Sequence, residues 1–143
     1  MKIELDEVID ALESASPDLD FFYNRETGEI IMRSDDMIMG MDDDEFEEQW
    51  DDLIRLPGQY EIDEYSMMDE FVAGLPEGKA QDELDQSLLG KGAFRRFKDK
   101  ANRLGLADSW YEYRNNQYLK IAIEWCEANE IEYIVKKEGS TNG

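Results

Sequence analysis

A chain of 143 residues with 41% hydrophobic residues and three tryptophans can bury one core, and it is too apolar for wholesale disorder despite 36% charged residues. Its formal charge of −21, from 36 acids against 15 bases, repels nucleic acid and anionic lipid at long range. The absence of histidine removes Ser-His and Cys-His nucleophile pairs and His-ligated zinc, and the one cysteine, Cys126, excludes an internal disulfide and fits a reducing, cytoplasmic setting.

The opening "LDEVIDALES" sets Leu5, Val8, Ile9 and Leu12 at helical spacing and predicts a short amphipathic helix, ended by Pro17. "LDFFYNRETGEIIMRS" reads as a β-hairpin, with Phe21–Tyr23 and Ile30–Met32 flanking a turn in which Gly28 can take a positive φ. "MDDDEFEEQWDDLIRLPG" predicts a second helix, with Phe46, Trp50, Leu53 and Ile54 as its inner stripe and a stop at Pro57-Gly58. A third helix is expected over "EIDEYSMMDEFVAGLP", with Tyr65, Met68, Phe71 and Val72 buried. A fourth is expected over "GKAQDELDQSLLG", and a fifth over "GAFRRFKDKANRLGL" with Gly105 as its C-terminal cap. "DSWYEYRNNQYLKIAIEWCEANE" is the longest helix, capped by Asp108 or Ser109. "IEYIVK" reads as a last strand pairing with the hairpin, and "EGSTNG" as a loose tail. The fold class is α+β: a mostly helical single domain over residues 1–138 with a small antiparallel sheet, then a tail over 139–143. No apolar run reaches the roughly 18 residues that span a bilayer and no signal-peptide pattern opens the chain, so no membrane partner is expected.

The charge is unevenly laid down. Residues 1–90 hold 28 acids and 5 bases, whereas residues 91–143 hold 8 acids and 10 bases. Six bases (Lys91, Arg95, Arg96, Lys98, Lys100 and Arg103) fall within thirteen residues. On a helical wheel Phe94, Phe97, Ala101 and Leu104 form one apolar face, with the cations opposite and on the flanks. Three readings follow, in descending order. The cations pair with the protein's own carboxylates and relieve self-repulsion. Alternatively, Gly90-Lys91-Gly92 and the helix start bind an anion or a partner's carboxylate, with Lys91, Gly92, Arg95, Arg96, Lys98 and Arg103 as the site. The third reading is nucleic-acid contact, which inward-facing phenylalanines and the net charge disfavour. The glycines are too closely spaced for a P-loop.

Arg114 lies in the apolar stripe of the long helix, on the wheel between Ile121 and Trp125, so it needs a partner. The expected partner is Glu61, Asp63 or Glu64, and the functional alternative is an anion-reading arginine. The acids Asp42, Asp43, Asp44, Glu47, Glu48 and Asp51 form an acidic face. Acids at a helix start interact well with the dipole, which explains part of the run, and their row can also imitate phosphate spacing. An EF-hand counted from Asp42 fails, with Glu47 and Leu53 where glycine and glutamate are required. Glu47, Glu48, Asp51, Glu61 and Glu64 resemble only loosely the carboxylates of magnesium-dependent all-α nucleotide pyrophosphohydrolases. Cys126 reads as a small buried hydrophobe.

"LPGQYEIDEYSMMDEFV" with "GAFRRFKD", "WYEYR" and "AIEWCE" resembles the uncharacterised bacterial protein family numbered 0158 in the unknown-function series, over roughly residues 56–134. The resemblance brings no activity, catalytic residue or cofactor with it. The reading is therefore a non-catalytic interaction or regulatory protein without a cofactor or metal, engaging a protein partner through its acidic face or an anion through the basic helix. Nucleic-acid binding by the basic helix is second and a magnesium-dependent nucleotide hydrolase third.

Overall fold

Leu5, Val8 and Leu12 recur at helical spacing because they are the buried side of a helix, α1 (Leu5–Glu13), which follows a two-residue strand, β1 (Ile3–Glu4). The computed structural model describes residues 2–34 and 42–135, so the tail expected over 139–143 lies outside the described residues. The chain is α+β and forms two compact units, Met1–Ile62 with Tyr118–Gly143, and Asp63–Gln117.

In the first unit, β2 (Leu19–Asn24) and β3 (Ile30–Ser34) form the expected antiparallel hairpin, with Phe22 opposite Ile31 and Tyr23 opposite Ile30. The turn closes through Gly28 N–H on Asn24 O (2.8 Å), and Gly28 has φ 79°, the left-handed conformation that glycine takes without a Cβ penalty. Helix α2 (Asp43–Glu48) starts from Asp42 in a capping box: Asp42 Oδ1 accepts the Glu45 N–H, and Glu45 Oε1 accepts the Asp42 N–H.

This helix is shorter than the sequence predicts. It gives way to a 3-10 turn at Trp50–Asp52 and then to a strand, β4 (Leu53–Arg55), which pairs antiparallel with β2 and makes the sheet order β3-β2-β4. The hairpin's free edge wins over local helix propensity here, because backbone groups at Leu53 and Ile54 gain ladder partners at Asn24 and Tyr23. A single turn, α3 (Gln59–Ile62), ends this stretch.

The second unit holds α4 (Glu64–Ala73), α5 (Lys79–Ser87), α6 (Ala93–Arg103) and the start of the longest helix, α7 (Ala107–Ala128). Asp63, at φ 53°, separates α3 from α4 and splits the expected third helix. Its carboxylate then caps α4 by accepting the Ser66 N–H and hydroxyl. Gly105 has φ 72° at the C-terminal end of α6, where Leu106 N–H reaches back to Ala101 O, as a glycine cap requires. The core of this unit is aromatic. Phe97 and Trp110 meet edge to face at 5.1 Å and Phe71 packs on Trp110 at 5.6 Å, each buried ring contributing about 1.5–3 kcal/mol.

The last strand, β5 (Tyr133–Ile134), does not join the hairpin as expected. It pairs parallel with β1, Ile3 opposite Tyr133, in a separate two-stranded sheet. Trp125, from the second half of α7, packs on Tyr23 and donates its indole N–H to Arg55 O at 3.1 Å, which ties the first unit's helix to its sheet.

Candidate functional site

Most of the acid excess belongs to the first unit. Residues 63–117 carry 11 acids and 8 bases, leaving 25 acids and 7 bases to the remainder. Asp42, Asp44, Glu47, Glu48 and Asp51 are exposed on and around α2, and Asp43 is its first residue. Trp50 stands among them. The sequence places it in a buried stripe, but it is 53% exposed, because the chain leaves the helix at Gln49 and turns the indole toward solvent. Its ring is nevertheless held, 5.5 Å from Phe46 and 5.9 Å from Phe22. The Arg33 guanidinium lies over the Phe46 ring at 4.9 Å, so this aromatic cluster already carries a cation on its surface. Buried Asn24 fixes the hairpin to the end of α2: its Nδ2 donates to Gln49 Oε1, and its Oδ1 accepts the Glu26 N–H. An open cleft of about 750 Å³ borders the same region, lined in part by Glu7, Asp10, Glu29 and Glu45 with Phe21 and Ile31.

In the second unit, α6 divides the six clustered cations by role. Arg96 is internal in function: its Nε donates to Ser87 O at 3.1 Å, its Nη1 to Lys91 O at 2.7 Å and its Nη2 to Leu89 O. It clamps the loop between α5 and α6 and is not a free anion fork. Lys100 pairs with Glu83 at 3.3 Å. Lys91, Arg95, Lys98 and Arg103 are exposed and make no ion pair with the described residues, and Gly92 is the left-handed N-cap of α6 at φ 74°.

Phe97 is buried as the sequence predicts, but Phe94 is 42% exposed. The buried stripe of α6 is Ala93, Phe97 and Ala101, and Phe94 falls about 60° to one side of it on the wheel. Its ring meets that of Tyr65, itself 40% exposed rather than buried, at 6.4 Å and 38°. Tyr65 donates its hydroxyl to Leu88 O at 2.8 Å, and the neighbouring Leu89 is 68% exposed. Sequence reasoning missed this Tyr65, Leu89 and Phe94 surface. The signal present was the small-large-small spacing of Ala93, Phe97 and Ala101, which centres the inner face on Phe97.

Arg114 is not aimed at an external anion. Its Nε donates to Glu64 Oε2 at 2.7 Å, the ion pair expected of an arginine in an apolar stripe. Glu61 accepts from Arg55 at 2.9 Å and from the Gly58 N–H at 2.7 Å, and that backbone bond is the main reason its carboxyl sits below the usual range. Two of the carboxylates weighed for magnesium are thus engaged by arginines. Among the described residues no three Asp, Glu or Cys side chains stand close enough to hold a metal ion, and no helix is long and apolar enough to cross a membrane. Cys126 is fully buried, and burial pushes its thiol up to about 11, which makes it a poor nucleophile at neutral pH.

The chain is similar to a curated protein of Pseudomonas aeruginosa, the UPF0158 protein PA5073, at 24% identity over 133 residues, which cover 92% of this chain and 86% of the relative. No solved structure matches it. The model of the family described as uncharacterised protein family UPF0158 matches residues 1–142, so the likeness extends beyond residues 56–134 to the hairpin, the acidic helix and Trp50. By that match the chain belongs to the uncharacterised protein family UPF0158.

Proposed function

We propose that this protein is a non-catalytic interaction protein whose acidic surface around α2 and Trp50 docks a basic segment of a partner protein. The observation that carries the reading is Trp50 itself. A large aromatic ring is more than half exposed, is braced by Phe22 and Phe46, and has the exposed acids Glu47, Glu48 and Asp51 within three residues of it in the chain. Interface hot spots favour tryptophan, and a rigid ring spends little entropy on binding. Carboxylates beside an indole suit a lysine or arginine, which gains cation–π attraction and charge pairing together. The guanidinium of Arg33 on the Phe46 ring supports the same preference from within the chain. The first unit's acid excess would steer a basic partner toward this surface. A cytoplasmic setting goes with this reading, supported by the single buried thiol.

The test is a low-salt pull-down of the full chain from lysate, read by mass spectrometry, comparing the parent with Trp50→Ala and with Glu47→Lys/Glu48→Lys. A partner that contacts the protein through a Lys/Arg-rich segment should be lost from both variants. Retention of the same partners by both variants would overturn the reading.

A further inference from the structure

We propose that the Tyr65, Leu89 and Phe94 corner of the second unit is a separate docking surface, which takes an acidic segment of a partner protein carrying an apolar anchor. Three large apolar side chains are exposed together there: Tyr65 and Phe94 touch through their rings, and Leu89 follows the residue whose carbonyl receives the Tyr65 hydroxyl. Isolated exposed apolar residues are ordinary, but a contiguous group is not.

The corner is also held in place. Arg96 bonds the carbonyls of Ser87, Leu89 and Lys91, so one guanidinium fixes the loop that presents Leu89 and Lys91. The Tyr65 hydroxyl bond fixes the ring, and Gly90 and Gly92 supply the two left-handed turns, at φ 77° and 74°. A surface already ordered before binding loses little conformational freedom when a partner arrives.

The rim chooses the partner's chemistry. Lys98 lies one helical turn after Phe94 on the same face, Arg95 is adjacent, and Lys91 precedes the helix; all three are exposed without an ion pair among the described residues. Three cations around an apolar centre fit carboxylates around an apolar anchor. Nucleic acid fits less well. Repulsion from a chain of net charge −21 grows with the charge of the partner, so a segment with two or three carboxylates is repelled far less than a polyanion. Leu89 also offers no face for base stacking. A second copy of this chain carries the same −21 and is disfavoured for the same reason.

The test places the photo-crosslinking residue p-benzoylphenylalanine at position 94 of the full chain, with position 112 as an exposed control on α7. Crosslinked segments are sequenced by mass spectrometry. The expected product, at position 94 only, is a protein segment rich in Asp and Glu with a Leu, Ile, Met or aromatic residue. Lys91→Glu with Lys98→Glu should lower its yield about tenfold, while circular dichroism stays unchanged. Trp50→Ala should leave it unaltered, which separates this surface from the acidic one. Crosslinks to nucleic acid, to a second copy or to a basic segment would overturn the proposal, as would equal yield at both positions or no product at position 94.

Discussion

Arg114 Nε donates to Glu64 Oε2 across 2.7 Å, and each side chain keeps only 18% of its surface exposed. Removing one partner takes this counter-charge from a group that is largely out of water. Arg114→Met alone should cost about 2–3 kcal/mol, below the ~3–5 kcal/mol of a fully buried pair because some exposure remains. Glu64→Leu/Arg114→Met together should recover most of that loss. Guanidinium denaturation of the three variants checks both outcomes.

Phe94 and Phe97, three residues apart, should respond in opposite ways to truncation. Phe97→Ala opens a hole between Phe71 and Trp110 and should lose about 3–5 kcal/mol. Phe94→Ala removes a half-exposed ring and should lose less than about 1 kcal/mol. Urea midpoints measure the difference, and equal losses would contradict the placement of the two rings.

Arg96 should resist even conservative replacement. An ammonium cannot bond three carbonyls in fixed directions, so Arg96→Lys should cost about 1–3 kcal/mol. Hydrogen exchange should speed up in the loop at residues 88–92 in this variant and remain unchanged in Arg95→Lys, whose side chain is exposed.

Alkaline pH should weaken the fold through Cys126. Its thiol is raised from about 9 to about 11 by burial, with Glu127 adding in the same direction. Between those values the unfolded chain has released the proton and the folded chain has not. That contribution is therefore fully present below pH 9 and lost as pH rises toward 11, amounting to about 2–3 kcal/mol at full extent. Burial raises Tyr23 as well, so it acts with the same sign at higher pH. Urea unfolding at pH 7.5, 9 and 10.5 should show the decline, and Cys126→Ala should flatten it.

Local signals carried much of the fold. The α1 stripe, the hairpin with its glycine turn, the α4, α5 and α6 segments and the long α7 all rest on periodicity or turn chemistry within a few residues. The misses were decided at longer range. Residues 53–55 read as helix because nothing nearby reveals that β2 has an unpaired edge to fill. "IEYIVK" reads as a strand, but its partner is 130 residues away at Ile3. The ion pair of Arg114 was legible because a charge in an apolar stripe must be answered. The exposure of Trp50, Tyr65 and Phe94 was not legible, because each stands at the margin of an apolar face and its surroundings depend on where the neighbouring chain turns.

The pairing of Ile3 with Tyr133 also sets an order of assembly on the ribosome. Residues 63–117 can complete their own core as soon as they emerge, since Phe71, Phe97 and Trp110 all lie within them. β1 is made about 130 residues before its neighbour and gains that neighbour only once Tyr133 and Ile134 have been synthesised. Such a distant closure is slow, so residues 63–117 are expected to become native before β1 is paired.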